Sequence, residues 1–305
     1  RSDFVDTDVS SNFLRYVAKF GSYYDFLLFC EEDVPFFSKE EVDVIRTLSW
    51  YLPLVRTEDY LIIQKLLEGP QKRDALIKHC KIDEGFNEAS FDHALLMLQN
   101  KISFSKKQFF REAIKETDGV YSLVVGDLSE AFISWLSDLL SYGLTRYDVD
   151  FHGDNNTLKL YGRYSGAKVM MVLNNLSLMH IQGVETIKGR LCLFINLNKD
   201  SQPEERLKYK DKFLSNKILQ WEPRTGTTMD NKQGIKLLNA QKAEIFIRKV
   251  AEEDNIKMPF IYLGKGTLTN PRTSDSQSKA ILFDIVLDKE IPDMYKYDFG
   301  IENAD

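Results

Sequence analysis

The sequence predicts an α+β chain in two parts: an all-helical first part holding a winged-helix-like unit, then a β-barrel-like domain with short helices. Three observations predict it. Through about residue 142, apolar residues recur at three- and four-residue steps, the helical period. From about residue 143, β-branched and aromatic runs are bounded by Gly, Pro and Asn clusters, the composition of strands. The charge balance turns over near the same place: residues 1–150 carry 17 Lys/Arg against 26 Asp/Glu, and residues 151–305 carry 23 against 20. A length of 305 residues suits two or three domains, and these shifts divide the chain into 1–142 and 143–305.

In the first part, residues 11–29 place Phe13, Val17, Phe20, Tyr24 and Leu27 on one helical face, with Gly21 dividing the stretch into two helices. Ser38 followed by Glu41 is a capping-box start, in which a Ser oxygen takes one free N–H and the Glu side chain another. The helix it opens turns Val42, Ile45, Leu48 and Tyr51 inward and stops near Pro53. Residues 57–126 suggest the winged-helix-like unit: helices over 58–67, 71–80 and 90–99, then wing strands at 102–104 and 121–125. In DNA readers of that shape the third helix enters the major groove. Here it offers Asp92 and His93 and no Arg or Lys, which points to a structural or protein-contact module. A last helix over 127–142 packs through Ile133, Trp135, Leu136 and Leu140.

The second part reads as strands at 158–161, 190–197, 243–250, 260–263 and 280–287, with short helices over 165–174 and 230–241. Within it, residues 151–250 hold 17 Lys/Arg against 9 Asp/Glu, a basic segment on an acidic chain. Such a segment is an electrostatic footprint for nucleic acid or simply a solvated charged face. The stretch 206–229, RLKYKDKFLSNKILQWEPRTGTTM, is its densest part. Aromatics interleaved with bases suit a surface that meets both phosphates and an unstacked base.

Composition and motifs exclude several classes. Three cysteines, Cys30, Cys80 and Cys192, are odd in number and widely spread, which predicts reduced, buried thiols in a cytoplasmic protein. No apolar run approaches the roughly 20 residues that a membrane-spanning helix needs. No signal peptide is read, and the absent initiator Met gives the expectation of a fragment of a longer protein. A phosphate-binding loop needs an upstream Gly that Gly264-Lys265-Gly266-Thr267 lacks, so that segment reads as a turn. His79-Cys80-Lys81 begins a phospholipase-D-type nuclease motif, but Phe86 stands where its Asp is needed. His93, His152 and His180 stand alone, and no paired Cys/His spacing suits zinc. The expectation is a binding unit with no catalytic residues, metal or cofactor of its own.

Several ordered segments carry a resemblance. Leu160-Tyr161-x-Arg163-Tyr164-Ser165, Gln182-Gly183-Val184 and residues 193–199 (LFINLNK) are followed by Tyr209-Lys210-Asp211-x-Phe213, residues 218–222 (ILQWE) and residues 259–264 (PFIYLG). Together these resemble a domain at the C-terminus of large bacterial superfamily 2 helicase-like proteins. Asn12-Phe13 and Ser22-Tyr23-Tyr24-Asp25-Phe26-Leu27 resemble the region that follows the helicase core in the same proteins. The combination is most similar to the C-terminal portion of SauUSI-type restriction enzymes, ATP-dependent type IV enzymes that cut DNA containing 5-methylcytosine or 5-hydroxymethylcytosine. The resemblance implies an SRA-like domain over 143–305 that flips a modified cytosine out of the duplex. It also implies upstream nuclease and helicase domains of the same chain, with ATP and Mg confined to them.

Sensing one methyl group yields about 1–3 kcal/mol in an apolar pocket, and flipping costs a few kcal/mol, offset by stacking and by bonds to the base edge. Tyr209, Trp221 and Tyr164 are the candidate walls, and Asp211 or Glu222 the acceptor for the cytosine amino group. Trp221 and Tyr164 suit core positions as well, and Asp211 an ion pair with a neighbouring Lys. Arg163, Lys208, Lys210, Lys212, Lys217, Arg224, Thr225 and Thr227 are the candidate phosphate contacts. The alternative is a docking module of a helicase-like protein with no modified-base recognition, which the acidic first part favours.

Overall fold

The computed structural model describes residues 17–83, 85–104, 111–151, 158–178, 181, 183–197, 211–224, 226–240, 242–253, 255–274 and 279–301. The chain is α+β and forms two compact units, 1–157 with 170–179, and 158–169 with 180–305. Among the described residues no helix is long and apolar enough to cross a membrane.

The first unit is mainly helical. A 3₁₀ turn, Ala18–Phe20, ends at Gly21, whose φ of 104° is a glycine conformation, and Ser22 then caps α1 (Tyr23–Phe29) by accepting from the Asp25 N–H. Both arms of the expected capping box are present on α2 (Lys39–Trp50): Glu41 N–H donates to Ser38 Oγ, and Ser38 N–H to Glu41 Oε2. Tyr24, Phe37, Phe132 and Trp135 form an aromatic cluster, edge-to-face but for the tilted Tyr24–Phe37 pair, that ties α1 to α6 (Glu130–Phe151).

Between α2 and α6 the order is α3 (Glu58–Leu66), β1 (Gln71–Lys72), α4 (Arg73–Cys80), α5 (Glu88–Leu98), then a hairpin of β3 (Ile114–Thr117) and β4 (Val120–Leu123). The three-stranded sheet runs β1–β4–β3. The hairpin differs from the expected wing strands. β2 (Ser103–Phe104) pairs in parallel with β6 (Ser177–Leu178), and the partner of β4 is β3. The turn is Asp118-Gly119, both at positive φ, the two-residue hairpin signal for strands of right-handed twist.

The expected boundary at Gly143 falls inside α6. A Cβ there would lie 2.3 Å from Cε2 of Tyr60, so this glycine serves close helix packing rather than a chain break.

Arg56, 1% exposed, organises the polar interior of this unit. Its guanidinium is bidentate on Asp59 at 2.6 and 3.0 Å and also donates to the Met171 carbonyl and Asn174 Oδ1. His93 Nε2 lies 2.8 Å from the Asn175 carbonyl, which can only accept, so Nε2 carries the proton and Nδ1 accepts from Arg56. The lone His93 is therefore a buried bridge.

In the second unit an eight-stranded mixed sheet runs β7 (Val184–Ile187), β8 (Arg190–Asn196), β11 (Ala243–Arg248), β14 (Phe260–Thr273), β15 (Ile281–Leu287), β10 (Ile218–Trp221), β9 (Lys212–Phe213), with β5 (Arg163–Tyr164) paired to β14. β8 and β11 are parallel, and the other pairings of this sheet are antiparallel. One face packs Leu193, Ile245, Ile247, Leu263, Phe283 and Ile285 under Leu237 of α8 (Lys232–Leu238) and Phe299 of α9 (Asp293–Phe299). The other carries Cys192 and a stack of Phe194 on Phe246 at 4.7 Å, with Phe260 and Tyr262 against them.

The expected barrel is an open sheet. Among the described residues its end strands, β7 and β9, do not pair with each other. They have four and two residues, and closure needs end strands long enough to pair at a common tilt and stagger.

Residues 158–161 form a turn with Tyr161 at φ 64°, and only β5 follows as strand. α7 (Gly166–Val172) and α8 occupy the two stretches expected to be helical. Gly264-Lys265-Gly266, expected to be a turn, lies inside β14, where a Cβ on Gly266 would meet Ile285 Cγ2 at 2.6 Å. A separate hairpin pairs β12 (Glu252–Glu253) with β13 (Ile256–Lys257).

Glu58, 1% exposed, sits beside the Arg56 network, and burial pushes its carboxyl up to about 7 against the opposing charge of Arg56. A carboxyl with a folded pKa above its unfolded 4.5 adds stability that is fully present below about pH 4.5 and lost as pH rises through 7. The loss is on the order of 3 kcal/mol. Glu58→Gln, which stays neutral, is expected to melt above the wild type at pH 8 and to lose that advantage at pH 5, as thermal melts across that range will measure.

Candidate nucleic-acid interface

The basic, aromatic strip lies between β8 and β11. Lys208, Tyr209, Lys210 and Thr225 fall outside the described residues. From Asp211 onward the chain forms the β9–β10 hairpin and then the loop 222–231, which leads into α8.

The described aromatic and acidic candidates are buried. On β10 burial alternates, with Leu219 and Trp221 inward and Ile218 and Gln220 partly outward. Trp221 is 4% exposed and stacks on Phe283 in the sheet core, centroids 6.1 Å apart, so its ring is core and not a pocket wall. Tyr164 is 1% exposed, and its hydroxyl accepts from the Lys159 N–H at 2.8 Å, holding the turn before β5. Burial raises that phenol well above its ordinary range.

Asp211 Oδ1 accepts from the Glu222 N–H at 2.8 Å, and Glu222 Oε2 accepts from Ser274 Oγ at 3.1 Å. Both carboxylates are at most 9% exposed, and these bonds fasten the start of the loop.

Thr227, expected on phosphate, is 1% exposed. Its carbonyl accepts from Ile281 N–H and its N–H donates to the Arg224 carbonyl, so it ties the loop to β15. Gly226 takes φ 87°, and its carbonyl accepts from the Asn231 side chain, which also caps α8 by accepting from Gly234 N–H. Gly234 is the tightest point. A Cβ there would stand 1.7 Å from the Thr228 carbonyl oxygen, so α8 lies directly against the loop.

The cations face outward. Arg163, Lys212, Lys217 and Arg224 are exposed. Arg224 helps line an open cleft of about 400 Å³ with Val184 and Glu185 of β7 and Lys232, Gln233 and Lys236 of α8. Lys232 and Lys236 stand one helical turn apart and so share a face. Lys236 Nζ donates to Thr186 Oγ1 at 2.5 Å, bridging α8 to β7. Three cations against one carboxylate give the cleft a positive field that its low-dielectric walls concentrate.

Arg163 lies on β5, opposite Ile261 in register, and is not among the cleft residues. Sequence reasoning passed over Lys232, Gln233 and Lys236. The signal was present in two lysines four apart, right after the Gly/Thr loop.

Among the described residues no group of three or more His, Cys, Asp or Glu side chains could hold a metal ion. Burial pushes the thiols of Cys80 and Cys192 up, the latter to about 12, so both stay protonated at neutral pH. Cys30 is exposed, where a buried thiol was expected, because α1 ends there and turns it outward.

Residues 158–298 match a family described as a domain of unknown function, DUF3427. The match runs from the turn before β5 into α9 and includes every residue of the cleft. No curated protein matches the chain.

Gly234→Ala is expected to destabilise the chain by roughly 1–3 kcal/mol, since the clash is with backbone that cannot rotate away. A urea titration will read it. Asp211→Ala is expected to lose about 1–3 kcal/mol by leaving the Glu222 N–H buried without its acceptor, whereas Asp211→Asn keeps an oxygen there and loses less. Parallel denaturation of the two variants measures the difference.

Proposed function

We propose that the chain is the DNA-binding, target-recognition part of an ATP-dependent type IV restriction endonuclease, and that it reads duplex DNA carrying 5-methylcytosine or 5-hydroxymethylcytosine by base flipping. The observation that carries the reading is the meeting of Arg224, Lys232 and Lys236 at one polar cleft, within the segment that matches DUF3427. The ordered motifs that resemble SauUSI-type enzymes lie largely in that same segment.

In this reading exposed Arg163, Lys212 and Lys217 add further phosphate contacts. Tyr209 remains the candidate for stacking on the flipped base, because Trp221 and Tyr164 are taken by the core. The SRA-like character would then reside in an open sheet. Catalysis, ATP and Mg belong to nuclease and helicase domains of the parent protein.

A second reading applies to the first unit. Its order of helix, strand, helix, helix and hairpin, with strands β1–β4–β3, is the connectivity of a winged helix. The exposed side of α5 presents Glu88 and Asp92, both paired with Arg73, and an acidic face repels phosphate. We assign this unit a protein-docking role on a helicase core.

Fluorescence anisotropy on otherwise identical duplexes with cytosine, 5-methylcytosine or 5-hydroxymethylcytosine at fixed moderate salt tests the proposal. A preference of roughly tenfold or more for a modified duplex is expected, abolished by Tyr209→Ala. Equal affinity for all three would end the modified-base reading. Absence of binding would leave docking as the role of the whole chain.

A further inference from the structure

We infer that the cleft between β7, Arg224 and α8 is a phosphate-binding site, and that its ligand is a backbone phosphodiester of duplex DNA held by Lys232 and Lys236 together with Arg224 and Gln233. The inference rests on the DNA-binding reading and gives it a defined subsite.

The lining favours this ligand over others. Of its six residues Val184 alone is apolar, so the cleft offers mainly polar surface and little on which to stack a base or bury a hydrocarbon. It is also open on one side, which suits a group projecting from a continuous strand. Glu185 is the one carboxylate against three cations, leaving a net positive site for an anion.

The cationic donors are exposed side chains carried on a fixed backbone. Lys236 donates one proton to Thr186 Oγ1, which tethers the ammonium to β7 and leaves two protons for a ligand. Lys232 projects from the same helical face one turn earlier, and the Gln233 amide adds neutral N–H donors beside it. Arg224 comes from the loop before α8, its backbone held by buried Pro223, by the Asp211 and Glu222 bonds, and by the Thr227–Arg224 turn. The loop and α8 meet where Gly234 lies against the Thr228 carbonyl, so the backbones that carry the cations keep a fixed spacing.

The test is the double variant Lys232→Gln/Lys236→Gln in the full chain. Both side chains are exposed, so the melting temperature serves as a control for folding. Binding of unmodified and 5-methylcytosine duplexes is measured from low to moderate salt. Affinity for both is expected to fall by the same factor, roughly tenfold, with the ratio between them unchanged. The slope of log affinity on log salt is expected to lose about 1 to 2 units.

A variant that binds both duplexes as the wild type does, with an unchanged slope, overturns the inference and leaves the DNA reading intact. Selective loss of the modified duplex also overturns it, since the cleft would then touch the base. If the wild type binds neither duplex, the DNA reading fails, and calorimetric titration with pyrophosphate decides the site. Binding that the variant lacks supports a phosphate site for a free ligand in place of DNA. No binding overturns the site as well.

Discussion

The parallel pairing of β8 with β11 is the constraint on which the C-terminal unit depends. Two parallel neighbours cannot be joined by a tight turn, because the chain must travel back the length of the strand before it re-enters the sheet. Here the return runs from residue 197 to 242 and contains the β9–β10 hairpin, the loop 222–231 and α8. Everything proposed to touch DNA except Arg163 and the β7 edge of the cleft is carried on that return. The hairpin docks on β15 at the far end of the sheet, and α8 covers the core face through Leu237. Its described elements, the hairpin and α8, are therefore each anchored by apolar burial, and Lys212, Lys217, Arg224, Lys232 and Lys236 are carried on them or on the loop between.

Charge sign sorts the strip once it is folded. The two acids, Asp211 and Glu222, turn inward and accept hydrogen bonds from a backbone amide and a serine, while Lys212, Lys217 and Arg224 stay in solvent. A short carboxylate can be satisfied by N–H groups at a loop entrance. A long ammonium or guanidinium keeps its charge in water while its stem covers apolar surface. The surface left to the solvent is more positive than the sequence of the strip suggests, since its negative members are withdrawn.

Elements with a strong local signal were legible in the residues. The Ser38 capping box, the Gly21 break, the Asn-capped α8 and the apolar runs of β8, β11 and β15 lie where periodicity and punctuation place them. Glycine misled most. Gly143 and the Gly264–Gly266 segment read as breaks, but Gly143 and Gly266 sit inside regular elements where the side chains of Tyr60 and Ile285 come too close for a Cβ. The β3–β4 hairpin was written in Asp118-Gly119, a clearer signal than the composition of Ile102-Ser103-Phe104. Trp221 could have been placed in the core by its alternation with Leu219.

The sequence by itself determined that this chain is α+β, that its basic charge gathers in the second half, and which stretch of that half carries most of it. These are properties of composition and period, and they survive any arrangement in space. Only the tertiary structure decided which charges meet. Lys232 and Lys236 join Arg224 because Gly234 lets α8 settle on the Thr228 carbonyl, and Glu185 joins them because β7 ends the sheet beside α8. Such contacts depend on backbone approaches between residues distant in sequence, and no local pattern encodes those distances.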